Sequence, residues 1–80
     1  MTIEELYNRL KELSVSDDRF YLHGLFGSTH DNDKLALSIK MGKYTAEYEV
    51  YYKERGNKTT SRIFMTEAEA CDYFLNRIKF

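Results

Sequence analysis

The 80-residue chain contains no proline and no tryptophan, a single cysteine and four glycines. Without proline or a Gly/Ser-rich stretch there is no stiff or flexible linker to divide it, and a single continuous unit, residues 1–80, is expected. Cys71 has no partner for an internal disulfide. Small secreted domains usually carry several such bridges, so a reducing compartment, the cytoplasm, is the expected location. No run of about 18 apolar residues occurs, which leaves no candidate for a membrane-spanning helix. The N-terminal "MTIEELYNRLKEL" has acidic residues where a signal peptide carries basic ones, and it is expected to belong to the fold. An excess of charge is also missing. Twelve basic and thirteen acidic residues leave a net charge of -1, so no positive field would draw nucleic acid or an anionic membrane, and neither is an expected partner. A Gly-rich phosphate loop, HExxH, CxxC and Gly-x-Ser-x-Gly are all absent. The expectation is therefore a protein that is not an enzyme, with no catalytic residues, no metal and no cofactor.

What is present is enough apolar and aromatic material for one small core. Hydrophobic residues make up 42% of the chain and charged residues 31%, with seven tyrosines and five phenylalanines. Such a composition folds rather than remaining disordered.

Thr2 and Glu5 have the spacing of a capping box, and Ile3, Leu6, Tyr7, Leu10 and Leu13 follow at intervals of three and four. A helix is expected from there to Leu13 or Ser14, where "SVSDD" breaks the period. "FYLHGLF", Phe20–Phe26, reads as a strand with both faces partly apolar. The polar loop "GSTHDND" follows it, and then "KLALSIKM" alternates cleanly, with Leu35, Leu37, Ile39 and Met41 on one side. After a turn at Gly42-Lys43 the period of two resumes in "YTAEYEVYYK". This puts Tyr52 on the apolar side and Tyr51 on the other. A tip at Arg55-Gly56-Asn57 leads into "TTSRIFM", whose contiguous Ile63, Phe64 and Met65 leave its facing undecided. Thr66 and Glu69 repeat the capping-box spacing, and Ala70, Cys71, Phe74, Leu75 and Ile78 line one side of a last helix. The pattern predicts an α+β fold in the order α-β-β-β-β-α. Its sheet would be an antiparallel four-stranded meander, with both helices packed on one face.

Several residues are of types that can carry chemistry. His30, Asp31 and Asp33 lie close together in "THDND", but turn formation accounts for them better than metal binding. His23 and His30 could act as an acid/base pair only with a cation nearby to stabilise developing charge, and none is adjacent in sequence. Cys71 falls on an apolar helix face, where a thiol is inert. The arrangement of helices and sheet is shared with double-stranded-RNA-binding domains. Those grip phosphate with lysines at the start of the last helix, where this chain has Glu67 and Glu69. What folding does not account for is the polar side of the third strand. Glu47, Glu49 and Tyr51 share it and, with Glu54 and Arg55 at the adjacent tip, are the expected partner-binding residues.

The segment "VYYKERGNKTTSRIFMTEAEACDYFLNRI", Val50–Ile78, resembles small immunity proteins encoded beside bacterial polymorphic toxins, including those of contact-dependent growth inhibition. The resemblance lies in Tyr-Tyr-x-Glu-Arg-Gly, the short strand closing on Phe64, and the acidic helix start with Glu-Ala-Cys-x-Tyr-Phe. It implies a cytoplasmic protein that binds a cognate toxin domain, often a nuclease, and blocks its active site or substrate groove. A monomer or weak homodimer is expected. A small nucleic-acid-binding domain and a regulatory protein-interaction domain are the alternatives.

Overall fold

The structure, a computed structural model, describes residues 1–79. Helix α1 spans Ile3–Glu12 and starts at the expected capping box: Glu5 N–H donates to the Thr2 hydroxyl, and the Glu5 carboxylate accepts the Thr2 N–H in return. Ile3, Leu6 and Leu10 form its buried stripe. Ser14, at φ 59, ends the helix. A short 3₁₀ turn at Asp17–Arg19 is then tied back to α1 by Lys11 Nζ on Asp17 Oδ1 at 2.8 Å and by the Tyr7 hydroxyl on Asp17 Oδ2 at 3.2 Å.

The expected single strand Phe20–Phe26 is divided. β1 is Phe20–Leu22 and β2 is Phe26–Gly27, and they pair as a small antiparallel hairpin. His23 at φ 52 and Gly24 at φ 73 adopt left-handed conformations that fold the chain back after Leu22. The His23 side chain is part of that bend, because its Nδ1 accepts the N–H of Ile39 at 3.0 Å while its own N–H donates to Leu37 O at 2.7 Å.

The chain then crosses back over residues 28–33 to begin β3, Lys34–Met41, which runs parallel to β1 with Phe20 opposite Leu35. The sheet is therefore mixed and five-stranded, in the order β2-β1-β3-β4-β5, rather than a four-stranded antiparallel meander. Gly27 fixes this corner. It sits at φ 78, and a Cβ there would meet the ring and carbonyl oxygen of Phe20 at 2.7 Å.

The rest of the sheet is antiparallel. β3 pairs with β4, Ala46–Glu54, across a turn closed by Gly42 N–H on Thr45 O at 2.8 Å. β4 pairs with β5, Asn57–Phe64, across a two-residue turn in which Arg55 and Gly56 take φ 51 and 82, the geometry of a type I′ hairpin. Arg55 N–H is held by Asp33 Oδ1 at 3.3 Å.

In β5, Thr60 and Ser61 together lie opposite Tyr51, between the pairs Val50–Arg62 and Tyr52–Thr59. This is a β-bulge, with Thr60 at φ 49. Its consequence is specific. Lys58 and Ser61 are three residues apart and would face opposite sides of a regular strand, yet the extra residue turns both toward the face that carries Glu49 and Tyr51.

Helix α2, Glu67–Lys79, is capped by Thr66, whose hydroxyl accepts Glu69 N–H at 3.2 Å and donates to Glu69 Oε1 at 2.9 Å. Glu67 Oε2 accepts the N–H of Ile3 at 2.9 Å and so ties the starts of the two helices together. The core is Ile3, Leu6 and Leu10 of α1 with Ala70, Cys71 and Phe74 of α2, packed on Phe20, Leu22, Leu35, Leu37 and Val50 of the sheet. Both helices therefore lie on one face, which leaves the other without a helical layer.

Candidate partner-binding surface

Alternation along β4 turns Tyr52 toward the helices and Tyr51 toward the open face. Tyr51 was expected to be solvent-accessible there, but it is only 2% exposed. The cover comes from the segment between β2 and β3, which carries Asp31 across the sheet. The Tyr51 hydroxyl donates to Asp31 Oδ2 at 2.6 Å and lies 3.3 Å from the Ser38 hydroxyl, while Lys53 Nζ reaches Asp31 Oδ1 at 3.3 Å. On the other side Lys58 Nζ stands 4.5 Å from the centre of the Tyr51 ring, a cation–π contact. Burial first, and the Asp31 carboxylate second, push the Tyr51 phenol up to about 12. The Tyr51 hydrogen bond, helped by Lys53 and opposed by burial, holds the Asp31 carboxyl below its ordinary value.

Glu49 is the second centre. It is 4% exposed, and its carboxylate accepts from Ser61 Oγ at 2.5 Å and Lys58 Nζ at 3.0 Å, with Lys40 Nζ at 3.4 Å. Burial alone would push this carboxyl up. The three partners overcome that and bring it below its ordinary value. Tyr51 and Glu49 thus anchor one polar network that joins the bulge of β5, the centre of β3 and the crossing loop.

The five expected partner-binding residues consequently do not form one site. Glu49 and Tyr51 are consumed within the fold. Glu47 is half-buried, its side chain lying where a Cβ on Gly42 would go. Glu54 and Arg55 are exposed at the far tip, seven residues along from Glu47 and therefore about 23 Å away. The histidines are not brought together as an acid and a base: His23 Nδ1 is committed to the Ile39 N–H in the sheet, and His30 is exposed in the crossing loop, where its backbone N–H donates to Ser28 Oγ at 3.4 Å. Among the described residues no three His, Cys, Asp or Glu side chains converge in a way that could hold a metal ion. Cys71 is fully buried, and burial pushes its thiol up to about 11.

A different set of residues stands out for exposure. Met41 is 83% and Tyr44 88% exposed at the β3–β4 hairpin, and Leu25, Ile63 and Met65 are also largely open. Strand register spreads them: Met41 and Tyr44 stand together at the β3–β4 hairpin, Leu25 lies at the β1–β2 edge, and Ile63 and Met65 lie at the β5 edge, with Ile63 on the open face and Met41 on the helix face. Leu25 lies in the bend that follows the Leu22–Leu37 pair, Ile63 pairs with Glu49 near the middle of β4, and Met65 follows the Phe64–Tyr48 pair. Single exposed apolar residues are common, but Met41 and Tyr44 are the two most exposed of the set and neighbour each other at one hairpin. Sequence alternation assigned Met41 to the apolar side and so to the core; the helices do not extend far enough to cover it. At the opposite end a cavity of about 390 Å³ is bordered by Asp18, Arg19, Asp33, Lys34, Tyr52 and Arg77, charges of both signs.

Among the described residues no helix is long and apolar enough to cross a membrane. Comparison with protein-family models, with curated proteins and with solved structures finds no match to this chain.

Proposed function

We propose that the protein is an immunity-type inhibitor: a cytoplasmic, non-enzymatic protein that binds a cognate toxin domain stoichiometrically and occludes its active site or substrate groove. The observation that carries this reading is the exposure of Met41 and Tyr44 together at the β3–β4 hairpin. Large apolar and aromatic side chains grouped at the surface are the usual anchors of a protein interface, where a few of them supply most of the binding energy. The sequence resemblance over Val50–Ile78 supplies the kind of partner.

The polar network contributes rigidity. A sheet face cross-linked by Asp31–Tyr51 and Glu49–Lys58 presents its rim with little conformational freedom left to lose on binding, which favours affinity. A nucleic-acid-binding reading gains nothing from this face. Its cations Lys40, Lys53 and Lys58 are paired with Glu49 and Asp31, and the α2 N-terminus begins with Glu67 and Glu69.

The direct test is co-expression with the toxin domain encoded immediately upstream, followed by purification and assay of the toxin's activity. A one-to-one complex without activity is expected. Full toxin activity in the presence of excess protein would remove the reading.

A further inference from the structure

The two edges of the sheet differ in length and in exposure. β2 is two residues long and closes one side. On the other side β5 extends over eight residues, and every residue from Asn57 to Ile63 is exposed. Its inner edge is paired with β4, and its outer row of N–H and C=O groups faces no other strand. Such an edge is a template for a further strand unless it is guarded.

The guard is only partial. The bulge at Thr60–Ser61 disrupts the first half of β5, and Lys58 is drawn onto Glu49 and the Tyr51 ring. Beyond the bulge, from Ser61 to Met65, there is no proline, glycine or second bulge. There Ile63 faces the open side together with Glu49, and Arg62 faces the helix side, resting 5.3 Å from the Tyr73 ring and 5.9 Å from the Phe64 ring.

We propose that the Ser61–Met65 edge is the docking site for an extended segment of a protein partner, which adds as a sixth strand. Main-chain hydrogen bonds to the outer edge of β5 would supply the pairing. A carboxylate on one side of the added strand would meet Arg62, and an aliphatic side chain on the other side would cover the exposed Ile63 and Met65. The charge of the occupant follows from β5 itself. Ser61–Met65 carries Arg62 and no carboxylate, so antiparallel pairing with a second copy would bring two Arg62 guanidiniums onto one face of adjacent strands, whereas an acidic strand would pair with Arg62. This proposal rests on the reading that the protein acts by binding another protein, and it adds the surface and the partner's chemistry.

The test is an amide-resolved NMR titration of the full chain with a synthetic peptide of alternating glutamate and valine, carried to millimolar concentration. Expected are shifts confined to residues 58–65, peptide-to-β5 contacts between backbones, and affinity lowered about tenfold or more by Arg62→Glu but retained by Arg62→Lys. The native amide spectrum of each variant establishes that it is folded. No binding, binding mapped elsewhere, or Arg62→Glu binding as tightly as wild type would overturn the proposal, as would a dimer formed through β5 that the peptide does not dissociate. The same readout with the upstream toxin domain separates the two claims. A toxin neutralised with β5 amides unprotected and Arg62→Glu without effect overturns the edge proposal alone, and a peptide that docks on β5 beside a toxin that does not bind overturns the immunity reading alone.

Discussion

Removing one oxygen atom tests the polar network with little else disturbed. Tyr51→Phe keeps the ring beneath Lys58 and deletes the hydroxyl that donates to Asp31 at 2.6 Å and lies against Ser38. A hydrogen bond to a charged acceptor contributes about 1.5–3 kcal/mol, and Asp31 keeps Lys53 as a second partner, so a loss of about 2 kcal/mol at neutral pH is expected. In a domain of this size that corresponds to a fall in Tm of roughly 10 °C. The loss should itself depend on pH. The Asp31 carboxyl titrates lower in the folded protein than in the unfolded chain, so its contribution is complete above the unfolded value, about 3.9, and disappears as pH falls through the folded value. In acid the wild type therefore keeps only a neutral hydrogen bond there, and the difference between wild type and Tyr51→Phe should shrink to about 1 kcal/mol. Urea denaturation of both proteins at neutral and acid pH measures this. A loss below about 0.5 kcal/mol at neutral pH, or one that does not change with pH, would show that the hydroxyl does not hold the crossing loop to the sheet.

Three further perturbations address other parts of the structure. Gly27→Ala forces a Cβ to within 2.7 Å of Phe20 at φ 78 and should cost about 2–4 kcal/mol by denaturation, because the conformation and the contact are both unfavourable. Thr60→Asn should raise stability by about 0.5–1 kcal/mol in the same experiment, since asparagine tolerates the left-handed conformation that a β-branched residue resists. Cys71 should react with a thiol reagent only as the protein opens, so that its labelling rate follows denaturant, because the buried thiol is held up to about 11.

Local periodicity carried most of the architecture. Ile3, Leu6 and Leu10 at helical spacing, and Leu35 and Leu37 at strand spacing, are the residues that meet in the core. Both threonine caps are where the sequence puts them. Elements decided by long-range contacts were not legible in the same way. Phe20–Phe26 alternates well enough to pass for one strand, and the bend at His23-Gly24 is stabilised by Ile39, sixteen residues away. Parallel pairing of β1 with β3 has no local signature at all.

For the candidate site the orientation of Tyr51 was readable from alternation, but its burial was not. Asp31 lies twenty residues earlier in a loop whose composition suggests only a turn. The bulge at Thr60–Ser61 had a faint trace, the undecided facing of "TTSRIFM", and that one extra residue brings Lys58 and Ser61 to Glu49 together. The apolar rim was hidden for the opposite reason. Met41 looks like a core residue in an alternating strand and only the reach of the two helices leaves it uncovered, while Ile63 faces the side that has no helical layer.

The central proposal is that the exposed β3–β4 hairpin, with Met41 and Tyr44, binds a toxin domain. Calorimetric titration of the upstream toxin domain with the wild-type protein and with Tyr44→Ala tests it most directly, because Tyr44 is largely solvent-exposed and its truncation should leave stability unchanged. The account predicts one-to-one binding that Tyr44→Ala weakens about fivefold or more, a loss of about 1 kcal/mol. Absence of binding by the wild type, or equal affinity for both proteins, would contradict it.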